Sequence, residues 1–271
     1  HLSYEAVKYS RKTLIMSADR FDVTGKVVLI TGAGQGIGRD YALAFANAGA
    51  KPVLAELNAE NLRNVSAEIK AAGGEALAIE TDVGDPDSVE AMATETIAEH
   101  GKIDVLINNA AIFASIPTRP FYEIPYDEWT KVMHVNVTGS YNCARSVVPA
   151  MREAGQGRII NISSGTVPQG APGFMHYVTS KAAIVGMTRV MARELGDANI
   201  NVNAIMPGYT ETEVDHASMD DGGREHINNI RILKRVETPD DLIGLAMFLS
   251  SPASSFITGQ SIACCGGEVM L

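Results

Sequence analysis

The chain has 271 residues, 46% of them apolar and 20% charged, with a formal net charge of −10. That length buries a substantial core within one large domain, and the acidic balance argues against nucleic acid and anionic membrane as partners. Its three cysteines, Cys143, Cys264 and Cys265, are an odd set with an adjacent pair, which speaks against a disulfide framework and for a reducing compartment, the cytoplasm. No His or Cys sits near the pair at ligand spacing, so no metal is expected, and no stretch reaches the roughly 20 apolar residues of a bilayer span.

Residues 1–20 carry scattered charges and no apolar core, unlike a secretory signal. Met16 reads as a natural start, so residues 1–15 are expected to be a tag or upstream extension, and the domain is placed at 21–271. From there apolar runs alternate with helical patterns. Val27–Thr31 is the first strand, followed by a glycine-rich turn and a helix over Ile37–Ala48. Then come a strand Pro52–Glu56, a helix Ala59–Ala72, a strand Ala76–Glu80, a helix Pro86–His100 and a strand Ile103–Asn108. A long helix Tyr126–Glu153 precedes the strand Arg158–Ser163. The helix His176–Gly196, the strand Ile200–Ile205, the helix Pro239–Leu249 and the strand Gln260–Ala263 complete the chain. Pro86 and Pro239 sit in first turns, and Gly49, Gly73 and Gly101 close helices. The strands are rich in Val, Ile and Leu without polar alternation, as in a parallel sheet buried on both faces. The expected fold is a single α/β domain, a doubly wound, Rossmann-like parallel sheet of seven strands flanked by helices. The polar and apolar mixture over residues 207–237 follows a strand end, where ligands bind in this architecture, and is expected to form a substrate lid.

Thr31-Gly-Ala-Gly-Gln-Gly-Ile-Gly38 joins the first strand to its helix. Glycines there let backbone approach a pyrophosphate, whose charge meets a helix N-terminus. Gly32, Gln35, Gly36, Ile37 and Gly38 are the candidate phosphate cradle. Glu56 ends the second strand eighteen residues after Gly38; a carboxylate there accepts from both ribose hydroxyls of an adenosine and repels a 2′-phosphate. Neither Gln35 nor Leu57 is basic, so NAD is expected rather than NADP. Asp82 and Val83, beyond the third strand, are placed to flank the adenine. Asn109, Ala110 and Ala111, after the fourth, let backbone approach the cofactor.

Tyr177 and Lys181 lie four apart on one helical face. That spacing is cheap, since Tyr4 and Lys8 share it. What separates the two pairs is Ser164, at the end of a strand thirteen residues before Tyr177. With Thr31–Gly38, Asn108–Ala111, Asn136, Ser164, Tyr177–Lys181 and Pro207-Gly208, the chain from residue 21 onward closely resembles the short-chain dehydrogenases/reductases, in their single-domain branch. The extended branch of sugar-nucleotide epimerases uses a different glycine spacing and a longer chain.

The resemblance implies roles. Tyr177 exchanges a proton with the substrate oxygen. A free phenol near pH 10 must be brought down for this, and the Lys181 ammonium and a positive nicotinamide favour phenolate. Lys181 also reaches the nicotinamide ribose, and Ser164 donates to the substrate oxygen. Asn136 distorts its helix and holds a water that links Lys181 to solvent. Pro207, Gly208 and Thr212, with Thr210 as competitor, contact the nicotinamide carboxamide. The family usually carries Val-Asp before its C-terminal Gly-Gly, whereas this chain has Cys264-Cys265. The long helices at 126–153 and 176–196 resemble those through which family members pair, which implies a homotetramer. The expected substrate pocket is lined by Ile112, Phe113, Ser164, Thr166, Val167, Phe174, Met175, Tyr209 and Met219, mostly apolar with no basic residue conspicuous. It suits an uncharged hydrophobic secondary alcohol or ketone (aryl, alicyclic or terpenoid), with a sugar or polyol as the alternative. His176, beside Tyr177, is expected to face away from substrate and to pack or lie exposed. An NAD-sensing regulator on the same fold is the alternative from outside the enzymes.

Overall fold

The computed structural model describes residues 18–217 and 221–271; the proposed extension over 1–15, the Tyr4–Lys8 pair and Met219 lie outside them. Seven parallel strands form one sheet in the order β3-β2-β1-β4-β5-β6-β7. They are β1 (Val27–Thr31), β2 (Lys51–Glu56), β3 (Leu77–Glu80), β4 (Val105–Asn108), β5 (Gly157–Ile162), β6 (Ile200–Pro207) and β7 (Ser261–Cys264). Side chains alternate across each strand, and both faces find partners. Val28 and Ile30 of β1 pack with α1 (Gly36–Asn47), α2 (Ala59–Ala71) and α9 (Asp240–Ser250). Val27 and Leu29 face a second core built with α3 (Pro86–His100), α5 (Gly139–Glu153) and α7 (Met175–Leu195). All five residues of β1 are buried, which explains why the sequence there shows no polar alternation. The strand order reverses between β1 and β4, and the carboxyl ends of β1, β4, β5 and β6 open onto one crevice.

Three stretches depart from the sequence reading. The long helix expected over 126–153 is α4 (Tyr126–Met133), a π-helical turn (His134–Thr138) and α5. The short α6 (Thr166–Gln169) and the helix α8 (Asp221–Ile230) were not expected from sequence. Pro168 inside the first and Gly222-Gly223 near the start of the second hide the helical pattern. The 207–237 segment thus contains a helix, and its ends meet in a parallel bridge between Thr210 and Glu237. Among the described residues no helix is long and apolar enough to cross a membrane.

Candidate active site

Side chains bolt the crevice together from the sheet outward. Asn108 of β4 donates to Asn161 of β5 at 2.9 Å, and Asn161 donates to Thr188 of α7 at 2.9 Å. Ser163 donates to the Lys181 carbonyl at 2.8 Å. These buried polar ties fix α7 against β5, and of the groups in them the Asn108 side-chain oxygen alone is left without a partner. Beyond the end of β5, the Ser163 and Gly165 amides donate to the Ile205 and Pro207 carbonyls at 2.8 and 2.7 Å, so the pairing with β6 continues past the strand and holds Ser164 between them.

The crevice has a volume of about 940 Å³ and is lined by residues from each of these strand ends. Along it lie Gly32, Gln35, Gly36, Ile37, Glu56, Leu57, Asp82, Val83, Asn109, Ala110, Ala111, Pro207, Gly208, Thr210 and Thr212, together with Ser164, Tyr177 and Lys181. Gly38 does not line it. A Cβ there would stand 2.1 Å from the Gly32 carbonyl oxygen, so this glycine allows the loop to fold back on its own helix. Gly36 has φ +55°, a left-handed conformation that favours glycine. Thr31 Oγ1 accepts from the Asn109 and Ala110 amides at 3.0 and 3.1 Å, and the Asn109 amide group donates to the Thr31 and Gly32 carbonyls, tying the loops after β1 and β4 together.

Whether this cradle suits an anion can be judged from the chain itself. The N-terminus of α1 has no side-chain cap of its own. The Gly36 amide instead donates to the carboxylate of Glu213 at 2.8 Å, from a residue far along the chain. The acceptor it meets is an anionic oxygen of the kind a dinucleotide pyrophosphate presents, and a pyrophosphate seated there would take the place of Glu213. Glu213 had no sequence signal, because only the path of the 207–217 segment brings it over the loop. Glu56 accepts from the Gly34 amide at 3.0 Å and from the Asn58 amide at 2.9 Å, so its carboxylate is fixed at the mouth of the crevice.

The reacting groups converge at the β5–α7 corner. Tyr177 lies in the first turn of α7, 7% exposed, with its phenol near enough to Ser164 for that hydroxyl to favour the phenolate. Thr166 donates to Ser164 Oγ from both its amide and its hydroxyl, at 3.2 and 3.0 Å, which leaves the Ser164 hydrogen for another acceptor. Lys181 Nζ donates to the Ile162 carbonyl at 2.8 Å and stands 5.6 Å from the centre of the Tyr177 ring. Burial pushes the Tyr177 phenol up to about 12, with the Ser164 hydroxyl acting the other way. It holds Lys181 down to about 8. The lowering of Tyr177 expected from Lys181 is therefore not delivered by the protein alone, where burial decides the direction of the shift.

The Lys181 value carries a test. A lysine held below its ordinary 10.5 burdens the fold while charged, and the burden lifts as pH rises from about 8 towards 10.5. Lys181→Met should therefore be the more stable protein near pH 7, by on the order of 3 kcal/mol. That gap should close over the same pH window in denaturant unfolding; a constant gap would contradict the assignment.

Asn136 sits in the π-helical turn and is 1% exposed. Its amide group accepts from the Ile112 amide at 2.8 Å and donates to the Ile112 carbonyl and to Ser180 Oγ. Ser140 donates to its main-chain carbonyl at 2.9 Å. The helix distortion that the resemblance implied is present, and its agent ties the loop after β4 to α7.

Around Tyr177 the walls are aromatic. Phe113 stacks on the Tyr177 ring at 4.4 Å between centroids, and Phe174 and His216 lie 5.9 and 5.3 Å from Phe113. Tyr209 meets His216 edge-on at 5.5 Å. Phe113, Thr166 and Tyr209 line the crevice as expected, but Val167 and Met175 do not. Val167 lines a separate hollow on the far side of α6, and Met175 is 44% exposed, since the helical turn that aims Tyr177 inward aims its neighbours elsewhere. His176 is fully buried and bonded to Glu128 at 3.0 Å, a packing residue. Sequence reasoning missed Lys131, Gln169, His216, His226 and Glu268 in the lining; of these only Glu268 adjoins a motif, the Gly266-Gly267 pair.

With that geometry in place, kinship is decisive. The family profile of the short chain dehydrogenases matches residues 26–222. The chain belongs to the short-chain dehydrogenases/reductases. It is similar to the 3-oxoacyl-[acyl-carrier-protein] reductase FabG of Thermotoga maritima, 36% identical over 248 residues, 91% of this chain and 98% of that one. Its structure is similar to that of a 7α-hydroxysteroid dehydrogenase complexed with NADH and 7-oxoglycochenodeoxycholic acid, at TM-score 0.88 and 33% identity, covering 95% of this chain and 99% of that one. A chain from Beutenbergia cavernae assigned as an NAD(P)-dependent gluconate 5-dehydrogenase, with NADP at low occupancy, matches at TM-score 0.85 and 36% identity, over 92% and 98%. The oxidoreductase class and a nicotinamide cofactor follow from membership. The relatives divide over acyl carrier, steroid and sugar-acid substrates and over NADH and NADP.

Proposed function

We propose that this short-chain dehydrogenase interconverts a hydrophobic secondary alcohol and its ketone, aryl, alicyclic or terpenoid, with NAD. The carrying observation is the aromatic wall over Tyr177 made by Phe113, Phe174, Tyr209 and His216, which suits an uncharged ring better than a phosphate or a thioester arm. The described parts of the segment after β6, 207–217 and 221–237, supply Tyr209, His216 and His226 to this end and are its proposed lid.

Bound NAD supplies the hydride acceptor and a positively charged ring. Gly32, Gln35, Gly36 and Ile37 would form the pyrophosphate cradle, with Gly38 letting the loop fold back on its helix. Glu56 and Leu57 hold the adenosine ribose, with Asp82 and Val83 against the adenine. Asn109, Ala110, Ala111, Pro207, Gly208, Thr210 and Thr212 line the nicotinamide half with Tyr177 and Lys181. The fixed Glu56 carboxylate supports NAD over NADP, because a 2′-phosphate would meet its charge. Tyr177 takes the proton from the alcohol oxygen during oxidation and returns it during reduction. Ser164 donates a hydrogen bond to that oxygen as charge develops. Lys181 holds the ribose and adds positive charge beside the phenol, and Asn136 keeps the adjoining helix in shape and seats the water of its proton path.

A sugar or polyol is the second reading, favoured by Gln169 and Glu268, which put polar groups in the lining. Steady-state oxidation of alicyclic and aryl secondary alcohols, polyols and a 3-hydroxyacyl thioester separates these. The cyclic alcohols are expected to give the highest kcat/KM. A polyol preference would overturn the substrate class, and tight NAD binding with no turnover on the whole set would favour the regulatory alternative. A homotetramer in the cytoplasm is the accompanying expectation, and a stable monomer by light scattering would refute the assembly.

A further inference from the structure

Under the Pro207–Thr210 turn lies a charged cluster that the acid/base chemistry does not use. Arg231 is 1% exposed. Its guanidinium donates to Glu268 Oε2 at 3.2 Å, to Glu237 Oε2 at 3.3 Å and to the Tyr209 carbonyl. The other oxygen of Glu237 accepts from the Gly208 amide at 3.2 Å and from Thr210 Oγ1 at 3.0 Å. A Cβ on Gly208 would stand 2.6 Å from Glu237 Oε2, 2.6 Å from Glu268 Oε2 and 3.0 Å from Cys265 Cβ. Glycine is required there because three side chains converge on that one backbone position.

Cys265 occupies the position at which the family usually carries Asp. Its thiol hydrogen-bonds with the Val269 main chain at 3.4 and 3.5 Å and not with the Gly208 amide, which besides Glu237 meets the Cys264 carbonyl at 3.4 Å. Yet a carboxylate projecting from position 265 would enter the space that the Glu237 carboxylate fills. We propose that Glu237 is a positioning residue for the nicotinamide end of the crevice, fixing the Gly208–Thr210 backbone in place of the acid that position 265 lacks. Arg231 stands between Glu237 and Glu268 and bonds to both, one cation shared by two carboxyl groups, and the mutual bonds hold the Glu237 carboxyl in one geometry.

The inference rests on the reading of the crevice as a dinucleotide site, so the test uses two ligands. NADH spans both ends, and its uncharged nicotinamide keeps loss of charge from imitating loss of position. ADP-ribose lacks the nicotinamide. Titration calorimetry on the full chain should show E237A weakening NADH about tenfold, the loss of a hydrogen bond to a charged group, with ADP-ribose unchanged. E237Q, which keeps the volume and loses one acceptor, should weaken NADH in the same direction, about threefold, and serves if E237A does not fold. Adding C265D to E237A should recover most of the NADH affinity. Unchanged NADH binding, or equal weakening of both ligands, would overturn the positioning role. A double variant no better than E237A would overturn the replacement of position 265. A wild-type chain that binds neither ligand would instead refute the cofactor site itself.

Discussion

Tyr177→Phe is expected to lower turnover by about a thousandfold or more, the upper range for loss of a positioned acid/base, while NAD affinity stays close to that of wild type. The ring survives the substitution, so the stack on Phe113 at 4.4 Å survives too, and only the phenol oxygen facing Ser164 is lost. The effect should fall on kcat, because the proton moves only as the carbon–hydrogen bond breaks. In the protein alone burial holds this phenol near 12, so the active form depends on positive charge gathered beside it when the ternary complex assembles. A pH profile of kcat/KM for alcohol oxidation whose acidic limb shifts upward in a Lys181 variant would agree with that. A Tyr177→Phe protein with a tenth of wild-type activity would remove Tyr177 from its role.

Glu56→Ala should change cofactor choice. The carboxylate is held by the Gly34 and Asn58 amides at 3.0 and 2.9 Å, so its charge cannot swing away from an incoming 2′-phosphate. Its removal is expected to weaken NAD about tenfold, for lost bonds from the ribose hydroxyls to a charged acceptor. NADP should improve about as much, giving a change near a hundredfold in the ratio of kcat/KM values. Part of the NAD loss comes through the loop, because the Gly34 amide loses its acceptor as well. A wild-type protein that already prefers NADP would refute this account of Glu56.

The fold was legible in the sequence wherever burial on both sides of the sheet favours Val, Ile and Leu runs, and β1, β2, β4, β5 and β6 follow those runs within a few residues, while the edge strand β3 buries only Ile79. Helices were legible where caps mark them, as at Asp85-Pro86, where Asp85 accepts from the Asp87 amide. The break in the 126–153 helix was foreshadowed only by Asn136, because a π-helical turn changes the hydrogen-bond register without changing the apolar pattern. In the site, the residues that are near one another in sequence were found, Tyr177 with Lys181 and the glycine loop. Those that depend on the path of an irregular segment were not. Glu213 reaches the Gly36 amide across 177 positions, and Glu237 reaches Gly208 across 29, distances at which no spacing rule operates. Val167 and Met175 were misassigned because adjacency to Ser164 and Tyr177 says nothing about which way a helical neighbour points.

The central claim, hydride movement between a secondary alcohol carbon and NAD, is tested most directly by following the atom. A cyclic secondary alcohol carrying deuterium on its carbinol carbon is incubated with NAD and the wild-type chain, and the recovered NADH is examined by mass and by proton resonance. One deuterium at C4 of the dihydronicotinamide, on a single face, is the expected result, with the ketone formed in equal amount. Ketone formed without deuterium in the NADH, or no ketone from any secondary alcohol while NADH binds tightly, would contradict the account.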